Sequence, residues 1–170
     1  MSVWRKRLEN DFKELNQLIK SSRGVLQLIS YKTDPPNDYI IEYQCRGIER
    51  LHNDQPVFRF IHQIKITLGQ NYPKRVPHVK FLSSIFHPNI YKNNVVCLGD
   101  YWTMAETLSE LVIRIGKLIQ YNPHVLNLNS PALSIGAKWA KENQWRFPLD
   151  HHTFKVTSKK SLRINWHDLA

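Results

Sequence analysis

The sequence predicts an α+β domain on three observations. An apolar stripe at helical spacing opens the chain, strands with regular alternation fill its middle, and a second helical stripe follows residue 107. With 170 residues, 42% of them hydrophobic, the chain can bury one sizeable core, and no shift in composition argues for two.

Trp4, Leu8, Phe12, Leu15 and Ile19 recur at steps of four and three, which lines one face of a helix over residues 3–20. Ser2 is placed to cap its start, and Lys6, Arg7, Asn10, Lys13 and Glu14 fall on the opposite, solvated face. Ser21-Ser22-Arg23-Gly24 ends the helix, and Val25 to Tyr31 reads as a first strand before the turn Asp34-Pro35-Pro36-Asn37-Asp38. Tyr39, Ile41, Tyr43 and Cys45 then alternate with Ile40, Glu42, Gln44 and Arg46, so Cys45 points to the apolar side of a second strand. Phe58 to Leu68 repeats the alternation, and Lys80-Phe81-Leu82 closes an antiparallel, four-stranded meander that helices must cover on its apolar face. In the next helix, Thr107 to Gln120, one face carries Leu108, Leu111, Val112, Ile115, Leu118 and Ile119. Ile113 falls off that face, outward among Glu110, Arg114 and Lys117. Ser134 to Asn143 reads as a last helix that packs Ile135 and Trp139 inward, with Ala132 near its start.

Composition narrows the function. The first residues, MSVWRKRLENDF, are charged where a signal peptide needs an apolar run, and no stretch is long and apolar enough to span a bilayer, so a cytoplasmic protein without membrane contact is expected. Two cysteines, Cys45 and Cys97, give neither a disulfide framework nor a paired redox motif. The eight histidines show no ligand spacing, and there is no glycine-rich phosphate loop, so neither metal nor nucleotide cofactor is expected. A net charge of +10 invites a nucleic-acid reading, but Lys and Arg are scattered and no nucleic-acid motif accompanies them. The same charge would equally steer docking onto an acidic protein partner.

Cys97 stands in a different setting from Cys45. Asn93-Asn94 is a turn signal, Val95-Val96 a short extended pair, and Gly99-Asp100 opens the chain again behind the cysteine. A thiol at such an edge can be reached by a large partner. Its thiolate is a good nucleophile near neutral pH, and the thioester it forms stays reactive toward amines.

In order along the chain, Tyr72-Pro73, Val76-Pro77, His87-Pro88-Asn89-Ile90 and Cys97, with eight residues from Asn89 to the cysteine, resemble the core signature of the ubiquitin-conjugating enzymes. Trp102, the turn Asn129-Ser130-Pro131 and both long helices also fall in that family's order, so the resemblance covers residues 4 to 147. It implies the ubiquitin-conjugating fold, with a catalytic unit over residues 1–150 and an extension over 151–170, where Phe154, Leu162, Ile164 and Trp166 suggest that some of it docks. It implies that Cys97 takes the carboxyl terminus of a ubiquitin-like modifier from an activating enzyme and passes it to a lysine amine, or a hydroxyl, of an acceptor protein. Asn89 is then a candidate donor to the oxyanion, with the holding of its loop as a second, compatible role. His87 is implied to organise that loop rather than act as a general base, and Pro88 fixes the backbone between the two. Ser130 aligns with the position that gates the attacking lysine, Ile113 with one that touches the carried modifier, and Lys6 and Arg7 with residues that bind the activating enzyme. Tyr91 reads as a packing residue.

Departures qualify the resemblance. Lys74 and Thr103-Met104-Ala105 stand where many relatives grip a ubiquitin ligase, the step from Cys97 to Trp102 is shorter than usual, and Gly99 replaces a common aspartate. With the segments LGDYW, IGKLIQYN and KWAKEN, these features resemble the bacterial conjugating enzymes of ubiquitin-like operons, several of which act against phage. That likeness implies transfer without a ligase. A non-catalytic modifier-binding scaffold of the same fold is the alternative, and an intact Cys97 with Asn89 speaks against it.

Overall fold

The computed structural model describes residues 2–99, 102–150, 152 and 154. Helix α1, Val3–Ser21, starts at Ser2, whose hydroxyl accepts from the Arg5 amide at 3.2 Å. Leu8, Leu15 and Leu18 are buried, with Trp4, Phe12 and Ile19 packed beside them, as the spacing requires. Ser22 closes the helix and its hydroxyl accepts from the Leu26 amide, which leads the chain straight into the sheet.

The sheet is a meander, β1 (Leu26–Lys32), β2 (Asp38–His52), β3 (Gln55–Thr67) and β4 (His78–Phe81), each strand antiparallel to the next. Its inner face carries Tyr39, Ile41, Tyr43, Cys45, Ile64, Ile66, Val79 and Phe81, all buried. Strands β2 and β3 run further than the alternation predicts. The register shifts between Gln44 and Gly47 and again between Ile48 and Arg50, which scrambles the period while the strands stay paired. They meet at a two-residue turn in which Asn53 and Asp54 have φ of 48° and 58°, the left-handed pair that suits a twisted hairpin. Gly47 lies within the shifted stretch, and a Cβ there would stand 2.7 Å from both His62 and Ile119.

Helix α2, Leu108–Ile119, crosses the inner face. Thr107 and Glu110 cap its start reciprocally, and the Tyr43 hydroxyl donates to the Val112 carbonyl at 2.9 Å. The expectation that Ile113 points outward is overturned: it is 6% exposed and belongs to the main core. Glu110 and Lys117 alone on this helix are exposed, and Arg114 is half-buried in a two-point ion pair with Glu106. The helix is therefore covered on more sides than a single stripe implies.

Helix α3, Ser134–Glu142, buries Gly136, Ala137, Trp139 and Ala140. Ile135, expected inside, is 64% exposed. Gly136 sets that phase, because a Cβ on it would stand 3.1 Å from the Pro88 backbone, and this close approach turns residue 135 away. Trp139 and Ala140 join Ile48 and Tyr121 in a smaller second core.

Beyond a 3-10 turn at Gln144–Arg146, the Asp150 carboxylate accepts from the Arg46 amide at 2.7 Å, from Gln120 and from the His152 amide. Phe154 is buried against α2, its ring lying where a Cβ on Gly116 would be, and meets Tyr43 edge-on at 6.0 Å. Of the segment read as an extension, residues 151–170, only His152 and Phe154 are among the described residues, and Phe154 is part of the main core. Among the described residues no helix is long and apolar enough to cross a membrane.

Candidate active site

The segment around Cys97 is held by backbone pairing on both sides. Ile90 bridges Val96, Lys80 of β4 bridges Val95, the Val96 amide donates to the Val79 carbonyl and the Cys97 amide to the Asn89 carbonyl, both at 2.9 Å. Between the paired segments the chain turns over Tyr91–Val95, with Asn94 at φ 67°, as the Asn-Asn signal predicts. Val96 and Leu98 are buried, which pins the strand and leaves Cys97 between them half-buried. Gly99 follows at φ 49°, a left-handed position that glycine takes without strain. Asp100 and Tyr101 lie outside the described residues.

His87 is fully buried with its ring edge-on to Tyr121 at 4.6 Å, and its Nδ1 accepts from the Asn89 amide at 3.0 Å. Burial lowers its pKa to about 3, opposed only by the Leu118 backbone, so the ring is neutral at pH 7. A nitrogen so buried and so occupied is not free to take a proton from Cys97. Pro88 carries the frame onward: its carbonyl accepts from the Leu133 amide just before α3.

Asn89 is 4% exposed, and its side chain makes a two-point contact with one residue. Its Nδ2 donates to the Asn127 carbonyl at 2.7 Å, and its Oδ1 accepts from the Asn127 amide at 3.0 Å. The Asn127 side chain in turn accepts from the amides of Asn129 and Ser130, at 3.2 and 3.0 Å. Ser130, exposed, is thus tied through Asn127 to the residue paired with Cys97. The one sequence signal for Asn127 is its place two residues before Asn129-Ser130-Pro131, which suits an Asx turn. Tyr91, expected to pack, is 46% exposed, and its hydroxyl lies 3.5 Å from the Cys97 sulfur.

Arg7, expected on the solvated face of α1, is instead engaged inside the fold. Its guanidinium donates to Asp11 at 2.8 Å, to the Tyr72 hydroxyl at 3.2 Å and to the carbonyls of Met104 and Glu106. Asp11, 1% exposed, also accepts from the Tyr72 hydroxyl and the Leu108 amide. Burial works against the Arg7 charge, but the hydrogen bond and charge of Asp11 outweigh it and raise its pKa. Arg7 is an internal clamp joining α1 to the start of α2, whereas Lys6 beside it is exposed. Trp102 is fixed nearby, its indole donating to the Pro73 carbonyl at 2.9 Å.

A half-buried thiol on a backbone-paired segment, beside a frame made of His87, Pro88 and Asn89, is suited to nucleophilic acyl chemistry. Residues 47–150 match the family described as ubiquitin-conjugating enzyme. The chain belongs to this family. It is similar to the ubiquitin-conjugating enzyme E2 2 of Kluyveromyces lactis, with 32% identity over 169 residues that cover 98% of this chain and 93% of that one. The protein of the same name from Mycosarcoma maydis is 30% identical over 149 residues, covering 82% and 69% of the two chains. The ubiquitin-conjugating enzyme E2 1 of Caenorhabditis elegans is 28% identical over 146 residues, covering 82% and 67%. As a conjugating enzyme the chain is an acyltransferase that works through a cysteine thioester. Its partners in general are a ubiquitin-like modifier and an activating enzyme.

Proposed function

We propose that Cys97 carries the modifier. Its thiolate attacks the carbonyl of the thioester on the activating enzyme, whose own sulfur leaves; a lysine amine of an acceptor protein then attacks the Cys97 thioester and the carbon–sulfur bond breaks. The observation that carries this is the contrast between the two cysteines. Cys45 is 2% exposed on the inner face of the sheet, where burial pushes its thiol well above the ordinary range, with the Asp150 charge adding to the effect. Cys97 is only half-buried, on a segment at the edge of the sheet.

Asn89 serves first by holding the loop that bears Ser130. Its amide nitrogen has two hydrogens and Asn127 takes one, so a second is left to meet the oxygen that becomes negative during attack. Lys6 is put forward as a contact for the activating enzyme. Ile113 and Arg7 are not, being turned into the fold. The finer reading, a bacterial enzyme that transfers without a ligase in defence against phage, rests on the sequence departures alone, and the three relatives named above are eukaryotic.

The test is single-turnover discharge of the charged enzyme, with no ligase present, into free lysine and into free threonine. Discharge into lysine assigns an amide product, and into threonine an ester. Asn89→Ala should charge normally and discharge about a hundredfold more slowly, the usual cost of one lost oxyanion donor. Normal discharge by that variant removes Asn89 from the chemistry. Discharge by the wild type only after a ligase is added contradicts the ligase-free reading.

A further inference from the structure

Tyr91 and Cys97 stand on the two arms of the turn before the active cysteine. The pairing of Ile90 with Val96 and of Asn89 with Cys97 puts Asn89 and Tyr91 on the same side as Val95 and Cys97, opposite the side taken by the buried Ile90 and Val96. The Tyr91 amide donates to the Val95 carbonyl, and its carbonyl accepts from the Asn94 amide, so the ring springs from a fixed point. Among the described residues, Tyr91 is the only side chain within hydrogen-bond distance of the Cys97 sulfur, at 3.5 Å.

We propose that the Tyr91 hydroxyl is a donor to the Cys97 sulfur that favours the states in which this sulfur is negative. The inference rests on Cys97 as the carrier of the modifier. A neutral thiol or a thioester sulfur is a weak acceptor, whereas a thiolate accepts strongly. The contact therefore strengthens at two moments. In charging, the sulfur is a thiolate as it attacks the modifier's carbonyl carbon, and the activating enzyme's sulfur leaves with its electron pair. In discharge, the acceptor nitrogen bonds to that carbon, the carbon–sulfur bond breaks with its pair on Cys97, and the proton shed by nitrogen passes to solvent. Tyr91 keeps its own proton throughout. The hydrogen bond to Cys97 itself raises the Tyr91 pKa, which keeps the hydroxyl a donor through the neutral range. An interaction stronger in the transition state than in the resting thioester acts on the rate of transfer rather than on the affinity for the donor enzyme.

Tyr91→Phe keeps the exposed ring and removes the donor. Alkylation of Cys97 by iodoacetamide, read by peptide mass, needs no modifier and reports the contact directly. Against wild type, the variant should alkylate about three- to tenfold more slowly at pH 7. Discharge of the charged variant to hydroxylamine should slow by a similar factor, while KM for the charged activating enzyme stays the same. Equal alkylation at pH 7, with charging intact, overturns the donor and leaves carriage on Cys97 standing. A difference in alkylation in a protein that never charges supports the contact and overturns carriage instead.

Discussion

At the scale of single residues, two buried histidines set a limit on the conditions in which the enzyme stays folded. Burial lowers His87 to about 3 and His62 to about 4, from an ordinary 6.5. Below pH 6.5 the unfolded chain takes up protons that the folded chain refuses. Stability is therefore full above pH 6.5 and falls as the pH drops toward 4 for His62 and 3 for His87, by about 1.4 kcal/mol per unit for each. Urea melts between pH 7.5 and 5, where carboxylates are still ionised, should show the midpoint falling from about 6.5 downward. A flat midpoint over that window contradicts the assignment of both rings as neutral in the fold. The candidate site was legible in the sequence as a set of positions, because motif spacing, Asn89 to Cys97 above all, is a sequence property. What each side chain touches was not. Tyr91 reads as packing until the turn is formed, and Arg7 reads as surface until Asp11, Tyr72 and the Glu106 carbonyl close around it.

At the scale of elements, the helices and strands follow their periodicities, and the departures have identifiable causes. The alternation stops at Cys45 because the register shifts between Gln44 and Gly47, although the strand itself continues to His52. Ile135 is exposed because Gly136, not the apolar count, sets the phase of α3. The covering of α2 from the C-terminal side was the least legible feature, since Phe154 lies thirty-eight residues from Gly116, the residue it packs on. It is also testable. Phe154 is 8% exposed, and Phe154→Ala should cost about 3 kcal/mol by removing a large buried ring. The check is the urea midpoint of the full chain. An unchanged midpoint would mean that the segment beyond Asp150 is a free extension, with the fold complete before it.

At the scale of the whole molecule, one sheet face and two long helices enclose the main core, and the active edge is built outside it on backbone pairing and the frame of His87, Pro88 and Asn89. That separation leaves Cys97 partly exposed while its neighbours Val96 and Leu98 are buried. The architecture was legible because an antiparallel meander with flanking helices is dictated by local periods. The origin of the chain and the identity of its modifier were not, because those depend on surfaces that periodicity does not constrain. The most direct measurement is intact mass after incubation with ATP, an activating enzyme and a ubiquitin-like modifier, comparing wild type, Cys97→Ser and Cys45→Ser. The expected result is a thiol-labile adduct of one modifier on wild type and Cys45→Ser, and on Cys97→Ser only an adduct that resists thiol, as an oxygen ester does. A thiol-labile adduct that persists on folded Cys97→Ser and vanishes on Cys45→Ser would contradict the assignment of Cys97 as the carrier.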